Sequence, residues 1–164
     1  PYTPSTNLLY GLREALAMLQ EEGLANVFAR HDRHAEATRR AARAWGLEIL
    51  CRNPAEYSDA LTAVLMPESF TQAGRDADTL RALIHTRFNM SLGTGLGKVK
   101  GKVFRIGHLG DFNDLTLMGT LSGVEMGLAE FGVSLKASGV LAAQEVLRAA
   151  SRQEQQQESR RAAE

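Results

Sequence analysis

The chain has 164 residues, 44% hydrophobic and 23% charged, with 19 Lys and Arg set against 19 Asp and Glu. That length suits one well-buried core, and the mixture is that of a globular chain rather than a disordered or fibrous one. The balanced charge offers no general attraction for nucleic acid or an anionic membrane, so any anion site has to be local.

The lone Cys51 excludes an intrachain disulfide and a cysteine-rich metal centre. It suits a reducing compartment, with the cytoplasm as the expected location. No apolar run approaches the roughly 18 residues of a membrane span, and no secretory signal opens the chain. The chain begins at Pro1 without a Met, directly before a helix signal, and is read as a piece whose preceding residues are missing.

In chain order, Thr3-Pro4 reads as an N-cap followed by a first-turn proline. Leu8, Leu9, Leu12, Ala15, Leu16 and Leu19 then recur at helical spacing until Gly23 stops them. A second helix carries Leu24, Val27, Phe28, Ala35, Thr38, Ala42 and Trp45 on one side, with Arg33, Arg39, Arg40 and Arg43 mostly elsewhere, and ends at Gly46. Two antiparallel helices joined by a short turn are the expected opening unit.

Leu47, Ile49 and Cys51 alternate as a short strand that Arg52-Asn53-Pro54 breaks, and residues 61–66 form a second β-favouring run ended by Pro67. Residues 68–75 read as a surface loop, after which Asp76 or Asp78 caps a helix bearing Leu80, Leu83 and Ile84. Phe88, Met90 and Leu92 alternate as a third strand, and residues 103–106 make a fourth, paired with the third across a glycine-dense turn. Asp111 with Asp114 resembles an acidic cap for a long helix bearing Leu117, Leu121, Val124, Leu128 and Phe131. On that helix Gly119, Gly123 and Gly127 form one side-chain-free ridge, for which close packing on the sheet or on the first helix is the expected use. A shorter helix around residues 140–147 leads into a Gln-, Glu- and Arg-rich end with no apolar face. The expected fold is therefore α/β of the α+β type. It has a small, mostly antiparallel sheet of about four strands, with helices on one face and a long N-terminal helix pair ahead of it. Residues 1–150 form the domain and residues 151–164 a polar, solvated tail.

For chemistry, residues 93–101 invite a phosphate-loop reading and fail it: Leu92 stands where a Walker loop needs its first Gly, and Val99 stands where it needs Ser or Thr after Lys98. The element that follows is a strand, which also fails the dinucleotide pattern. Arg105 is more informative. Phe104 and Ile106 share one face of their strand, so Arg105 projects from the other, on a rigid element beside the glycine turn. Its planar fork suits a ligand carboxylate, and spacing alone leaves that reading level with a salt bridge to Asp111 or Asp114. Thr3, at a helix start, offers backbone N–H groups to an anion, although on sequence alone simple capping is the favoured reading. His31 and His34 lie three apart with no visible third metal ligand and with Arg33 beside them, and are expected at the surface or half-buried. His85 and His108 stand in no motif, Cys51 is expected as a buried thiol, and no Ser-His-Asp order with a nucleophile elbow is present.

Three stretches together resemble the serine-glyoxylate aminotransferase family, which belongs to the class V, fold-type-I enzymes that use pyridoxal phosphate. They are Thr3-Pro4-Ser5-Thr6-Asn7-Leu8-Leu9-Tyr10-Gly11-Leu12-Arg13-Glu14-Ala15, then Phe88-Asn89-Met90-Ser91-Leu92-Gly93-Thr94-Gly95-Leu96-Gly97, and Val103-Phe104-Arg105-Ile106-Gly107-His108-Leu109-Gly110-Asp111. The likeness covers residues 3–133 and fades in the tail. It implies a homodimer that moves an amino group from serine, or alanine, to glyoxylate, with the cofactor acting as electron sink. It also implies that Arg105 grips the substrate α-carboxylate and that Thr3 lies near the cofactor phosphate of the partner subunit. The family's cofactor-bearing lysine, the aspartate facing the pyridine nitrogen and the aromatic ring that stacks on it belong to an upstream domain. Lys98, Lys100 and Lys102 lie in the wrong motif for the first role and are expected to face solvent. The expectation is a C-terminal small domain, inactive alone. The alternative is a non-catalytic binding or assembly module that keeps the fold and a carboxylate-binding face.

Overall fold

A computed structural model describes residues 3–161. Helix α1 (Thr6–Glu22) and helix α2 (Leu24–Trp45) are separated by Gly23 alone. Gly23 donates its N–H to the Leu19 carbonyl and accepts from Val27, at φ 79°, so one helix ends and the next begins within a single residue. One residue is too short for the chain reversal an antiparallel pair requires. The expected helix hairpin is therefore not formed, and every α1 residue from Thr6 to Met18 is exposed. Helix α2, in contrast, buries Ala35, Ala37, Ala41, Ala42 and Trp45 completely.

Strand β1 (Leu61–Leu65), strand β2 (Gly93–Thr94) and strand β3 (Val103–Gly107) form an antiparallel sheet in the order β1-β3-β2. Three strands stand where four were expected. Of residues 47–51 only Ile49 forms a bridge, to Val64, because Asn53 caps a short 3-10 turn at Pro54–Glu56 and draws the chain away. Phe88 is the last residue of helix α4 (Ala77–Phe88), and Asn89 turns the chain in the left-handed region at φ 51°. The hairpin partner of β3 is consequently the glycine segment at 93–94, not residues 88–92. Residues 68–75 hold helix α3 (Glu68–Gln72) where a loop was expected.

Alternation along the strands sets the layers. Thr62 and Val64 of β1 with Phe104 and Ile106 of β3 are buried on one face. There they meet Trp45, Leu80 and Ile84, together with Leu117, Leu121, Val124 and Leu128 of helix α5 (Asp114–Glu130), in one apolar cluster. Helix α6 (Gly139–Arg161) packs along α2 and takes in residues 151–161 of the stretch read as a tail, of which residues 162–164 lie outside the described residues. Gln, Glu, Arg and Ala are good helix formers, and no Gly or Pro interrupts residues 140–161. The missing apolar face argues against packing, not against helix; Arg152, Gln156, Ser159 and Arg160 are exposed.

The glycine ridge of α5 packs closely, but on a different neighbour from the one expected. A β-carbon at Gly127 would lie 2.3 Å from Ile84 of α4, one at Gly123 would lie 2.8 Å from Met90, and Gly119 faces open space. The cap of α5 is Asn113, whose side chain accepts from the Thr116 N–H at 2.9 Å, while Asp114 is the first helical residue.

Candidate anion site

Arg105 occupies the middle of the central strand, with Ala63 opposite it on β1 and Gly93 opposite it on β2. Its neighbours Phe104 and Ile106 point into the core, so the arginine stands on the other face, flanked on both sides by residues with little or no side chain. The competing salt bridge is not made. Asp114 is taken by His34 at 2.8 Å and Arg33 at 3.2 Å, and Asp111 is exposed in the loop before α5. Among the described residues Arg105 forms no ion pair and no hydrogen bond, and its Nε is buried without an acceptor. A guanidinium that meets no protein acceptor is open to an anion, and its two terminal nitrogens are where one can reach it.

The loop leading from β3 to α5 is clamped by α2. Arg30 donates to the carbonyls of Gly110, at 2.8 Å, and Phe112, at 3.1 Å, while Glu22 holds the other edge of the same guanidinium at 2.6 Å. That hydrogen bond pulls the Glu22 carboxyl below its ordinary range. His31 accepts the Gly110 N–H at 3.1 Å and donates Nδ1–H to the Val27 carbonyl at 2.7 Å, which fixes the orientation of its ring. Burial would raise the Asp114 carboxyl, but the His34 bond and the Arg33 charge outweigh it and lower it; His34 itself is lowered by burial. Both histidines are thus buried structural groups rather than surface or half-buried ones. His108 is likewise fully buried, donating Nδ1–H to the Asp59 carbonyl at 2.9 Å and accepting from Thr62 at 3.1 Å.

Other sequence candidates fall elsewhere. Thr3 is exposed and lies three residues before the first helical position; the N-cap of α1 is Ser5, which makes no side-chain capping bond. The expected helix-start position of Thr3 is corrected accordingly. Arg39, expected off the buried side of α2, is 5% exposed, held by Glu36 and Asp59 and laid over the Tyr57 ring at 5.0 Å. Leu24 and Phe28 are exposed instead. Cys51 is half-buried outside any strand, its thiol donating to the Asn53 carbonyl. Among the described residues no group of His, Cys, Asp and Glu is placed to hold a metal, and no helix is long and apolar enough to cross a membrane. The glycine turn beside Arg105 was legible, but the pairing of Gly93 and Ala63 with Arg105 and the clamp of Arg30 on the following loop were not, because only the strand register and the helix placement bring them there.

No family model matches the chain. Over 149 residues it is 52% identical to the serine-glyoxylate aminotransferase of Methylorubrum extorquens, an alignment covering 90% of this chain and 36% of that relative. The serine-glyoxylate aminotransferase of Arabidopsis thaliana is 49% identical over 144 residues, 87% of this chain and 35% of the relative. Among solved structures, the pyridoxamine-pyruvate aminotransferase of Mesorhizobium loti matches with a TM-score of 0.82 at 31% identity, covering 92% of this chain and 38% of that one. The chain spans little more than a third of the curated relatives it matches. A small antiparallel sheet under helices, with these neighbours, defines a portion of a class V aminotransferase. Within that class the chain belongs to the serine-glyoxylate aminotransferase family, as a C-terminal portion of its architecture.

Enzymes of this family depend on pyridoxal phosphate, which forms its link to the protein through a lysine. The chain has four lysines, Lys98, Lys100, Lys102 and Lys136, and all are exposed; the stem of Lys136 lies over Gly46. A lysine that carries the cofactor needs a desolvated or cation-flanked amine, and none of the four sits in such a place. The residues present do not fit the cofactor's covalent site.

Proposed function

We propose that this chain is the substrate-carboxylate half of a composite transaminase site that moves an amino group from serine, or alanine, to glyoxylate. In this reading Arg105 receives the α-carboxylate of the amino and oxo acids. The observation that carries it is the guanidinium on a rigid central strand, which no group among the described residues pairs. A bidentate pair with a carboxylate supplies both charge and orientation at such a site. Pyridoxal phosphate is held by residues outside this chain, with Thr3 approaching its phosphate from the partner subunit of a homodimer. The exposed Thr3, Pro4 and Ser5 suit a contact made to another molecule rather than to the sheet of their own chain. The exposed Leu8, Leu9, Leu12 and Leu16 of α1 likewise suit a covered surface in the assembled enzyme. The proposed setting is the cytoplasm. Residues 1–150 act as the small domain, and residues 151–161 continue its last helix outward.

The test is Arg105→Ala in the whole enzyme. Loss of a desolvated bidentate pair weakens substrate binding by about 2–5 kcal/mol, which raises KM for serine and for glyoxylate together. Unchanged KM for both removes the assigned role. Arg105→Lys keeps the charge but not the fork, and partial recovery is the expected result.

A further inference from the structure

The Arg105 side chain does not stand straight off the sheet. A β-carbon built at Gly93 would lie 2.9 Å from Arg105 Cβ and 3.1 Å from Arg105 Nε. Directly opposite residues in an antiparallel pair ordinarily keep their β-carbons about 4.5–5.5 Å apart. The two backbones therefore approach closely at this pair, and the nearness of Nε shows that the arginine stem runs over position 93, through space that a glycine leaves free. Nε lies over position 93, buried and without an acceptor, whereas the two terminal nitrogens make no bond among the described residues and still reach solvent.

We propose that Gly93 is a positioning residue for Arg105, and that by admitting the stem across β2 it presents the two terminal nitrogens, rather than Nε, to an incoming carboxylate. The inference rests on Arg105 being the carboxylate anchor. Bidentate recognition needs the fork held in one plane, and a long side chain left free to turn spreads over many rotamers. Any residue larger than glycine at 93 meets both Cβ and Nε of Arg105, so it displaces the stem from this path and releases it. The other glycines nearby differ. Gly95 is closed off by the Val99 backbone at 2.1 Å and serves the turn itself, while Gly107, on the same strand as Arg105, has nothing within 4 Å of its β-carbon position. Gly107→Ala is thus a matched control.

The experiment is NMR on the 164-residue chain labelled with 15N-arginine, the Arg105 Nε–Hε signal being assigned by its loss in Arg105→Lys. In the unsubstituted chain this proton should exchange slowly, show a contact to the Gly93 α-protons, and move less than the terminal-nitrogen signals when glyoxylate or acetate is added. Gly93→Ala should speed that exchange and raise Kd for both carboxylates at least fivefold, and Gly107→Ala should stay within twofold. Gly93→Ala with unchanged exchange and unchanged Kd overturns the proposal. If neither carboxylate binds the unsubstituted chain, it is the anchor role of Arg105 that fails, and the exchange rates still decide what Gly93 does. Should Gly93→Ala not fold, exchange in the unsubstituted chain as fast as that of an exposed arginine overturns the proposal, and a slow rate with the Gly93 contact upholds it.

Discussion

His108 follows the strand that carries Arg105 and hydrogen-bonds back to β1 through Thr62. Burial pushes its pKa down to about 4, with the nearby Arg39 charge adding to the effect. The folded-state value lies below the ordinary 6.5, so the unfolded chain binds the extra proton first as pH falls. Stability from this group is complete above about pH 6.5 and is lost as pH drops toward 4, by up to roughly 3 kcal/mol. His34, also lowered by burial, acts in the same direction. Urea unfolding at a series of pH values should show the midpoint falling below pH 6.5, with a smaller slope in His108→Gln; equal slopes would mean that His108 is not the linked group. Sequence reading reached Arg105 because strand alternation states which face a residue takes. It did not reach His108 or Gly93, since their partners lie 46 residues away at Thr62 and across the β2–β3 register.

Helix α5 holds the elements together through two features. Glu125 accepts from Trp45 Nε1 of α2 at 2.7 Å, from Ser138 at 2.9 Å and from the Val140 N–H of α6 at 3.0 Å. Burial would raise its carboxyl, but these bonds, led by Trp45, lower it. Glu125→Ala strips three donors of their acceptor and should cost about 3 kcal/mol in urea unfolding; a cost below about 1 kcal/mol would show that water replaces it. The glycine ridge gives a matched pair. Gly127→Ala drives a methyl into Ile84 and should destabilise by about 1–3 kcal/mol, whereas Gly119→Ala, in open space, should gain up to about 1 kcal/mol from helix propensity. The sequence announced the ridge through its spacing, yet it could not say that α4 would fill it. Helix ends were legible at Gly23 and Gly46. The relation between α1 and α2 was not, because a single glycine stops a helix without stating whether the chain reverses.

At the scale of the whole molecule the fold is finished on one side and open on the other. The helix-covered face of the sheet is closed, while Arg105 on the opposite face is unpaired and α1 carries exposed leucines. An apolar depression of about 420 Å³ lies where the end of α1 meets the start of α2 and residues 109–111. Surfaces of this kind are covered in functional assemblies. The isolated chain should therefore self-associate as its concentration rises, and Leu12→Glu with Leu16→Glu should reduce that association without lowering Tm; sedimentation velocity and thermal unfolding measure the two. In the function proposed above, the chain supplies the carboxylate anchor of a transaminase but not its reacting group. Serine-glyoxylate amino transfer with the isolated chain and added pyridoxal phosphate measures this. No turnover above that of the cofactor alone is expected. Clear turnover abolished by substituting Lys98, Lys100 or Lys102 would contradict it.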